Sequence, residues 1–355
     1  MRTTHLRVYF NRFSVNSVDF VLQWNFHGHF CLGLFIFSFS HIITLQLNQF
    51  SIDLPFLIIF ALCLIAKSVN DIKDNQVTIE ADLEFIGNYS IVIPVYNEED
   101  GIICVLEKIV QAVEGTNAEV VIVDDGSSDQ TITLAENFIK TQNVHFHIVR
   151  HPQNKGYGSA LKTGFEHASN DIVTFLDADG TYPPSYIPGM IQLFQQKNLN
   201  MLVGSRLSGT KCQMPWIRKL GNKLFALLLS LYSGTRVSDV GSGMRVMNRS
   251  LLKNIGDSPD GLFFTPYMSA KVLLQDISYS ETPIPYHERI GVSKLRIFRD
   301  GWNFFKAITI PSWQKRPIRV FFILMMFFLG LFAVIVTVGI LIFQYLGFEN
   351  FLSSL

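Results

Sequence analysis

The sequence predicts an α/β domain on a single, mostly parallel sheet, preceded by apolar segments and followed by a membrane-spanning helix. Three observations predict it. Short β-rich runs alternate with helical runs through the middle of the chain, and such alternation with short turns gives parallel strands covered by helices on both faces. The polar clusters of that region end the β-rich runs, at Tyr96–Glu98, Asp124–Asp125 and Asp177–Asp179, where open parallel sheets bind ligands. The longest apolar run lies near the carboxyl terminus, from Val320 to Phe343.

Taken in order, the chain opens on a stretch with no charged residue between Asp19 and Asp53. His29–Leu47 is long enough to span a bilayer, whereas Leu54–Ala66 has 13 residues and is short for one. A two-helix hairpin turning near Asn48–Asp53 fits the basic flanks, Arg2, Arg7 and Arg12 before and Lys67 and Lys73 after, and keeps both ends inside. A single span with an interfacial helix is the other arrangement. A cleaved signal fits poorly, because the apolar run starts late and lacks a small-residue cleavage site. Residues 1–67 are therefore expected to form a membrane region of one or two spans, and the polar stretch 68–88 a linker.

The α/β domain is expected over residues 89–312. Ser90–Tyr96 is the first strand and is followed by a helical pattern from Gly101 to Val113. Glu119–Asp125 is the second strand, and the GSSDQT after it supplies turn and helix-cap chemistry for a helix running to Lys140. Val144–Val149 is the third strand. A Gly-rich turn, NKGYG, leads into a helix over Ser159–Ala168, and Asp171–Gly180 is a fourth strand with acids at its end. Val320–Phe343 has 24 residues, no charge, one Thr and two Gly, which predicts a spanning helix within residues 318–345. Lys306, Lys315, Arg316 and Arg319 precede it and place that end in the cytoplasm.

Composition narrows the function. Lys+Arg and Asp+Glu both number 29, so no bulk positive charge exists to bind nucleic acid. With 16% charged residues and 31 Phe, disorder is excluded and an integral membrane protein is expected. Cys31, Cys63, Cys104 and Cys212 lie far apart with no CxxC pair, which suits reduced thiols rather than a zinc cage or disulfide framework.

The chemistry-bearing residues are weak singly. Asp177 and Asp179 flank Ala178 at the end of a buried strand, and two carboxylates held there offer hard oxygen ligands for Mg²⁺ or Mn²⁺. Such an ion neutralises a diphosphate leaving group. Of Asp124 and Asp125, one is placed to bind a base or ribose and the other to cap the next helix. Pro94–Glu98 either simply makes a strand-end turn or places Tyr96 to pack on a base and Glu98 to accept a hydrogen bond from ribose or base. The backbone N–H groups of NKGYG, including Lys155, are placed either to face phosphate or simply to make a turn; the stretch lacks the P-loop and GxGxxG patterns. Arg206 ends the VGS run, placed to neutralise phosphate. Trp216–Tyr232 is basic at its start and apolar later, which reads as a helix lying on the bilayer that presents Arg218 and Lys219 to lipid phosphate, or as a core helix with a solvated first turn. Asp239 either orients a ligand or fixes a Gly-rich turn. His287 reads as a solvated loop residue.

The ordered set SIVIPVYNEED, VVIVDDGSSDQT, NKGYGSALKTGF, FLDADGTYPP, VGSR, IRKLGNK, SDVGSGMRV and RIGVSKL resembles the family 2 glycosyltransferases, in particular their polyprenyl-phosphate (dolichol-phosphate mannose synthase-like) branch. The likeness runs from about Ser90 to Phe305. It implies the single Rossmann-like domain called GT-A. It implies that Pro94, Tyr96, Glu98, Asp124 or Asp125, Lys155 and Ala178 hold a nucleotide-diphospho-sugar, and that Asp177 and Asp179 bind the metal and diphosphate. Thr181 stands where mannose synthases of the branch often carry Gln; its hydroxyl is placed to ligate the metal or hold a water. Arg206 is implied at the donor, Arg218 and Asn222 at the acceptor phosphate, and Arg289, Ser293 and Lys294 on a loop closing over both.

The activity this implies is inverting transfer of a sugar to a polyprenyl (dolichyl or undecaprenyl) phosphate on the cytoplasmic face, at the plasma membrane of a bacterium or archaeon or at the endoplasmic reticulum of a eukaryote. A phosphate nucleophile needs no strong general base. Rival readings are a family 2 enzyme acting on a glycan or other acceptor, a processive synthase, a nucleotidyltransferase and a non-catalytic membrane scaffold. The processive synthase lacks its QxxRW motif here. The nucleotidyltransferase lacks its Gly-rich loop after the first strand. A degenerate scaffold has no need to keep Asp177, Asp179, Arg206 and Arg289 together.

Overall fold

The structure, a computed structural model, describes residues 76–79, 87–208, 211–256, 258–275, 277–291 and 297–354. The predicted membrane region 1–67 and most of the predicted linker 68–88 lie outside the described residues, as do Ser293 and Lys294.

The elements run β1 (Tyr89–Val95), α1 (Ile102–Ala112), β2 (Ala118–Asp124), α2 (Thr131–Ile139), β3 (His145–Arg150), α3 (Tyr157–His167), β4 (Ile172–Phe175), α4 (Ile187–Gln196), β5 (Met201–Ser205), α5 (Trp216–Ser233), β6 (Arg245–Asn248), α6 (Leu251–Ile255), α7 (Phe264–Leu273), β7 (Tyr279–Pro283), α8 (Ile297–Lys315) and α9 (Pro317–Ser354). The strands form one sheet in the order β3-β2-β1-β4-β6-β5-β7. Only β6 is antiparallel, paired with β4 on one side and β5 on the other. The mostly parallel α/β fold expected from the alternation is thus the one found.

Burial on both faces explains the apolar strands. Ile91, Ile93 and Val95 face one layer, where Ile102, Leu106, Ile109, Met190 and Ile191 complete the core. Val92, one residue out of phase, faces the other layer with Leu161, Phe165 and residues of α5 and α7. The alternation is the period of two that a strand imposes. Gly164 lets α3 come down onto the sheet: a Cβ there would collide with Val92 and close to 3.1 Å on Val123.

Three differences from the sequence reading matter for the site. β4 stops at Phe175, so Asp177 and Asp179 lie on a turn beyond the sheet rather than within the strand; its partner β6 begins only at Arg245, after the glycines at 241 and 243. Gly180, at φ +74°, closes that turn. α3 begins at Tyr157, two residues earlier than expected, because the carbonyl of Asp260 caps the amides of Gly158 and Ser159. The described part of the predicted linker is docked: Gln76 pairs with Glu281 of β7, the Val77 N–H donates to the Glu281 carbonyl at 2.8 Å, and Val77 and Ile79 pack on the core.

α9 begins with Pro317, whose missing N–H suits the first helical position. Over Pro317–Ile340 it is long and apolar enough to cross a bilayer, and 11% of the window tested is buried, which separates it from a core helix. The predicted span falls inside α9.

The close approach at Gly164 makes a test. Gly164→Ala is expected to destabilise the domain by about 1–3 kcal/mol through overpacking, read as a lowered thermal midpoint of the detergent-purified chain. An unchanged midpoint would mean α3 has room to shift.

Candidate active site

The carboxyl ends of β1 and β4 are adjacent at the point where strand order reverses, and a cleft of about 820 Å³ opens there. Pro94, Tyr96 and Glu98 line it from the end of β1, Asp125 from the end of β2, and Asp177, Ala178 and Asp179 from the turn after β4. Arg206, Arg218, Asn222 and Arg289 complete the predicted residues that reach it. Eleven positions scattered from 94 to 289 are therefore brought to one place.

The acid pair is embedded in named contacts. Tyr157, on the first turn of α3, donates its hydroxyl proton to Asp177 Oδ1 at 2.6 Å. Burial, with the Asp179 carboxylate beside it, pushes Asp177 up to about 7, while the Tyr157 hydrogen bond and the charges of Arg206 and Arg289 pull it back. Gly243 leaves room for the Asp177 carboxylate, which a Cβ at that position would strike. Asp179 Oδ1 accepts from the Thr181 amide at 3.1 Å and the Thr181 hydroxyl at 2.6 Å. Arg289 closes the cluster, with Nη1 at 3.0 Å from Asp179 Oδ2 and Nη2 at 2.7 Å from Glu98 Oε1.

A second buried centre holds the other side. Arg206 makes a fork with Asp239, Nε to Oδ2 and Nη2 to Oδ1, both at 2.7 Å, and its backbone N–H adds a third bond at 3.0 Å. The guanidinium also lies over the rings of Tyr286 at 5.2 Å and Tyr182 at 5.9 Å. Asp239 accepts further from Asn222 Nδ2 and the Gly241 amide. Although burial alone would raise it, the Arg206 charge and these hydrogen bonds hold the Asp239 carboxyl below its ordinary value. Beneath, Arg245 is fully buried and pins the turn by donating to the carbonyls of Ser242 and Val240 and to Ser269 Oγ.

Several sequence expectations change here. Of the two acids after β2, Asp125 is the one at the cleft wall; Asp124 caps the following turn through the Ser127 amide. Asp125 also clamps its surroundings, accepting from the Lys155 and Gly156 amides at 2.8 Å each and meeting His151 Nδ1 at 2.8 Å. The amides of Lys155 and Gly156 are thus committed to Asp125 and that of Gly158 to the Asp260 carbonyl rather than turned to phosphate, and Lys155 is exposed. The Thr181 hydroxyl is turned onto Asp179 and is fully buried. Asp239 proves to hold Arg206 and Asn222 as well as its own turn, and His287 is exposed. Tyr157, His151 and Arg245 were missed. Tyr157 and His151 follow the third strand, so the rule about strand ends had marked their neighbourhood; a single Arg entering an apolar strand carries no such signal.

The far end of the cleft lies between α5 and α8, where Arg218, Asn222, Arg299, Asp300 and Asn303 line it. α8 packs on α5, α7 and α9, with Phe225 and Phe304 in ring contact at 5.9 Å. Outside, α5 leaves Trp216, Ile217, Leu220, Leu224 and Leu227 exposed at helical spacing, with Trp216 at 74%. Its later residues Ala226, Leu229 and Tyr232 enter the core, so the helix is a core element on one face and bare and apolar on another.

Among the described residues no three His, Cys, Asp or Glu side chains converge to hold a metal. The cleft offers two, and their chemistry fits a hard divalent cation: carboxylate oxygens, partly mutually repelling, on the wall of an open cleft. Mg²⁺ commonly binds through one or two carboxylates and completes its shell with waters and substrate phosphates.

A Rossmann-like sheet with an acid pair at the reversal of strand order defines a GT-A-type glycosyltransferase. The chain belongs to glycosyl transferase family 2: residues 90–256 match the model of that family. It is 32% identical over 227 residues to a dolichyl-phosphate hexose transferase of Haloferax volcanii, covering 64% of this chain and 95% of that protein. It is also 32% identical over 253 residues to the low-salt glycan biosynthesis hexosyltransferase of the same organism, covering 69% of this chain but 59% of that longer protein. Glucosyl-3-phosphoglycerate synthase of Mycobacterium tuberculosis, solved with Mn²⁺, UDP-glucose and phosphoglyceric acid, shares the fold at a TM-score of 0.55 and 18% identity, covering 68% of this chain and 88% of that one.

The buried fork yields a prediction. Asp239→Ala leaves the Arg206 guanidinium buried without its partner and is expected to destabilise the chain by about 3–5 kcal/mol, seen as a large fall in thermal midpoint. A loss within 1 kcal/mol, on the order of a surface change, would show that Arg206 finds other partners.

Proposed function

We propose that this chain is a membrane-bound inverting glycosyltransferase that moves a sugar from a nucleotide-diphospho-sugar to a polyprenyl phosphate on the cytoplasmic face of the bilayer. One observation carries the proposal: the cleft has two unlike ends. One is acidic, with Glu98, Asp125, Asp177 and Asp179; the other runs between α5 and α8, with Arg218, Asn222 and Arg299, the last paired with Asp300 at 3.3 Å, beneath helices whose outer faces are bare and apolar. The first suits a nucleotide diphosphate with a divalent cation; the second suits an anionic head on a lipid tail. The name of the dolichyl-phosphate hexose transferase, matched over 95% of its length, supports the acceptor, and the Mn²⁺ and UDP-glucose of the mycobacterial structure support the donor and cation.

In this reading Tyr96, Glu98 and Asp125 bind the nucleoside, and Asp177 and Asp179 hold Mg²⁺ or Mn²⁺, with Thr181 orienting Asp179. When bound, the ion supplies positive charge to the departing diphosphate. Arg206, fixed by Asp239, presents a preorganised cation to the donor. Arg218 and Asn222, with Arg289, Ser293 and Lys294, receive the acceptor phosphate, whose oxygen attacks the anomeric carbon as the carbon–oxygen bond to the diphosphate breaks, inverting the centre. The acceptor is already anionic, so the protein's main contribution is placement. Residues 1–67 and α9 anchor the domain, and Lys306, Lys315, Arg316 and Arg319 set the catalytic face in the cytoplasm.

The test is transfer of labelled sugar into the lipid phase by the detergent-purified chain, with a panel of nucleotide sugars, polyprenyl phosphate, and Mn²⁺ or EDTA. Labelling from one donor that EDTA abolishes is expected; metal-dependent donor hydrolysis without lipid labelling would redirect the acceptor to a glycan or protein. Asp179→Asn should lower turnover by about a hundredfold or more while the chain still folds and inserts, and near wild-type turnover would remove the metal assignment. Leu220→Asp with Leu224→Asp should slow transfer to polyprenyl phosphate in vesicles about tenfold or more and spare a short water-soluble acceptor. Equal loss on both acceptors would deny α5 a bilayer role.

A further inference from the structure

The two acids of the pair are held by unlike partners. Asp177 is held by a neutral group that is itself fixed. Tyr157 stands on the first turn of α3, and that turn is tied down by the Asp260 carbonyl, at 2.7 Å from the Gly158 amide, and by the Lys162–Asp260 ion pair at 2.5 Å. Asp179 is held by a cation, Arg289, that it shares with Glu98. Its Oδ1 is occupied by Thr181, so the Oδ2 that meets Arg289 is the oxygen a metal ion would use.

Arg289 is tethered but incompletely satisfied. Its backbone neighbour is anchored, the Ile290 N–H donating to the Asp179 carbonyl at 3.0 Å and the Ile290 side chain packing against Gly101 and Gly180. Its Nε is buried without a hydrogen-bond partner among the described residues. One guanidinium thus bridges Glu98 and Asp179, with Asp177 in electrostatic reach. A divalent ion at Asp179 Oδ2 and a guanidinium 3.0 Å from the same oxygen repel each other strongly at that range.

We propose that Arg289 is the resident counter-ion of Asp179, that a divalent cation enters by displacing it, and that Tyr157 is a positioning residue keeping Asp177 aimed at the incoming ion. This rests on the reading of the acid end as the cation site. It sets an order of events: Arg289 is bound to Glu98 and Asp179 until cation and donor arrive, so it becomes available to an acceptor phosphate only afterwards.

The experiment is equilibrium binding of Mn²⁺ alone to the full chain in detergent, with free Mn²⁺ read by electron paramagnetic resonance. Arg289→Gln should tighten Mn²⁺ binding by about tenfold, the loss of one partly buried ion-pair competitor, whereas Arg289→Lys, keeping the charge, should stay near wild type. Tyr157→Phe should weaken it by about tenfold, the effect of one hydrogen bond to a charged group. A simple loss of structure weakens binding in every variant, so the opposite signs are the signature. Unfolding midpoints confirm folding, and Arg289→Met replaces Arg289→Gln if the latter does not fold. Mn²⁺ binding unchanged or weakened by removing the Arg289 charge, or absent from wild type and variant alike, overturns the exchange; unchanged binding in Tyr157→Phe overturns the positioning role. Undiminished binding in Asp179→Asn instead sinks the cation-site reading itself.

Discussion

Two carboxylates separated by a single residue on a turn at the cleft wall set the terms for the rest of the site. Asp177 and Asp179 repel each other, and burial worsens the conflict by removing water. Every group around them can be understood as an answer. Tyr157 donates to one, Thr181 and Arg289 attend the other, and the absence of a side chain at Gly243 gives the first carboxylate its space. A divalent cation would relieve the repulsion between these two carboxylates, and hard carboxylate oxygens suit one.

The opposite wall has the inverse problem, a guanidinium almost out of water, and solves it completely. Asp239 accepts from five donors: three of Arg206, one of Asn222 and the Gly241 amide. A buried ion pair is stable only when its remaining lone pairs are satisfied, and this one is. The same carboxylate therefore fixes two side chains of the cleft wall, Arg206 and Asn222. Arg245, under the turn, keeps the Gly-rich segment between them in place. Rigidity is concentrated here, whereas Arg289, on the loop after β7, is held by side-chain ion pairs alone beyond its backbone anchor at Ile290.

Most of the framework was legible in the sequence because it rests on short-range rules. The alternation of β-rich and helical runs and the polar residues at strand ends point to the cleft, and to Asp177 and Asp179 with it. What was not legible depended on long-range pairing. β6 pairs back between β4 and β5, a choice that local pattern does not encode, and it ends β4 early enough to free the acid turn. The NKGYG amides looked like a phosphate cradle because a Gly-rich turn before a helix has that chemistry; only the arrival of residues 259–261, distant in sequence, shows that the glycines make room for protein. The choice between Asp124 and Asp125 likewise turned on what stood across from each. The linker's docking onto β7 was hidden for the same reason.

The helices that close the cleft bring a final constraint. α5 is apolar on two faces, one entering the core at Leu229 and Tyr232 and the other bare at Leu220 and Leu224. α8 repeats the pattern, with Trp302 and Trp313 exposed while Ile308 is buried. Exposed aromatic and aliphatic rows on a folded domain are costly in water unless something covers them, and Trp favours the boundary between lipid and water. α8 then joins α9 through Arg316, whose Nη1 binds the carbonyl of Ser233 at the end of α5. The long apolar helix α9, the bare apolar face of α5 and the wall of the cleft are thereby locked into one unit. Under the proposed function, that coupling would hold the α5–α8 end of the cleft at the surface of the bilayer that α9 crosses, where a lipid-borne acceptor phosphate would reach it.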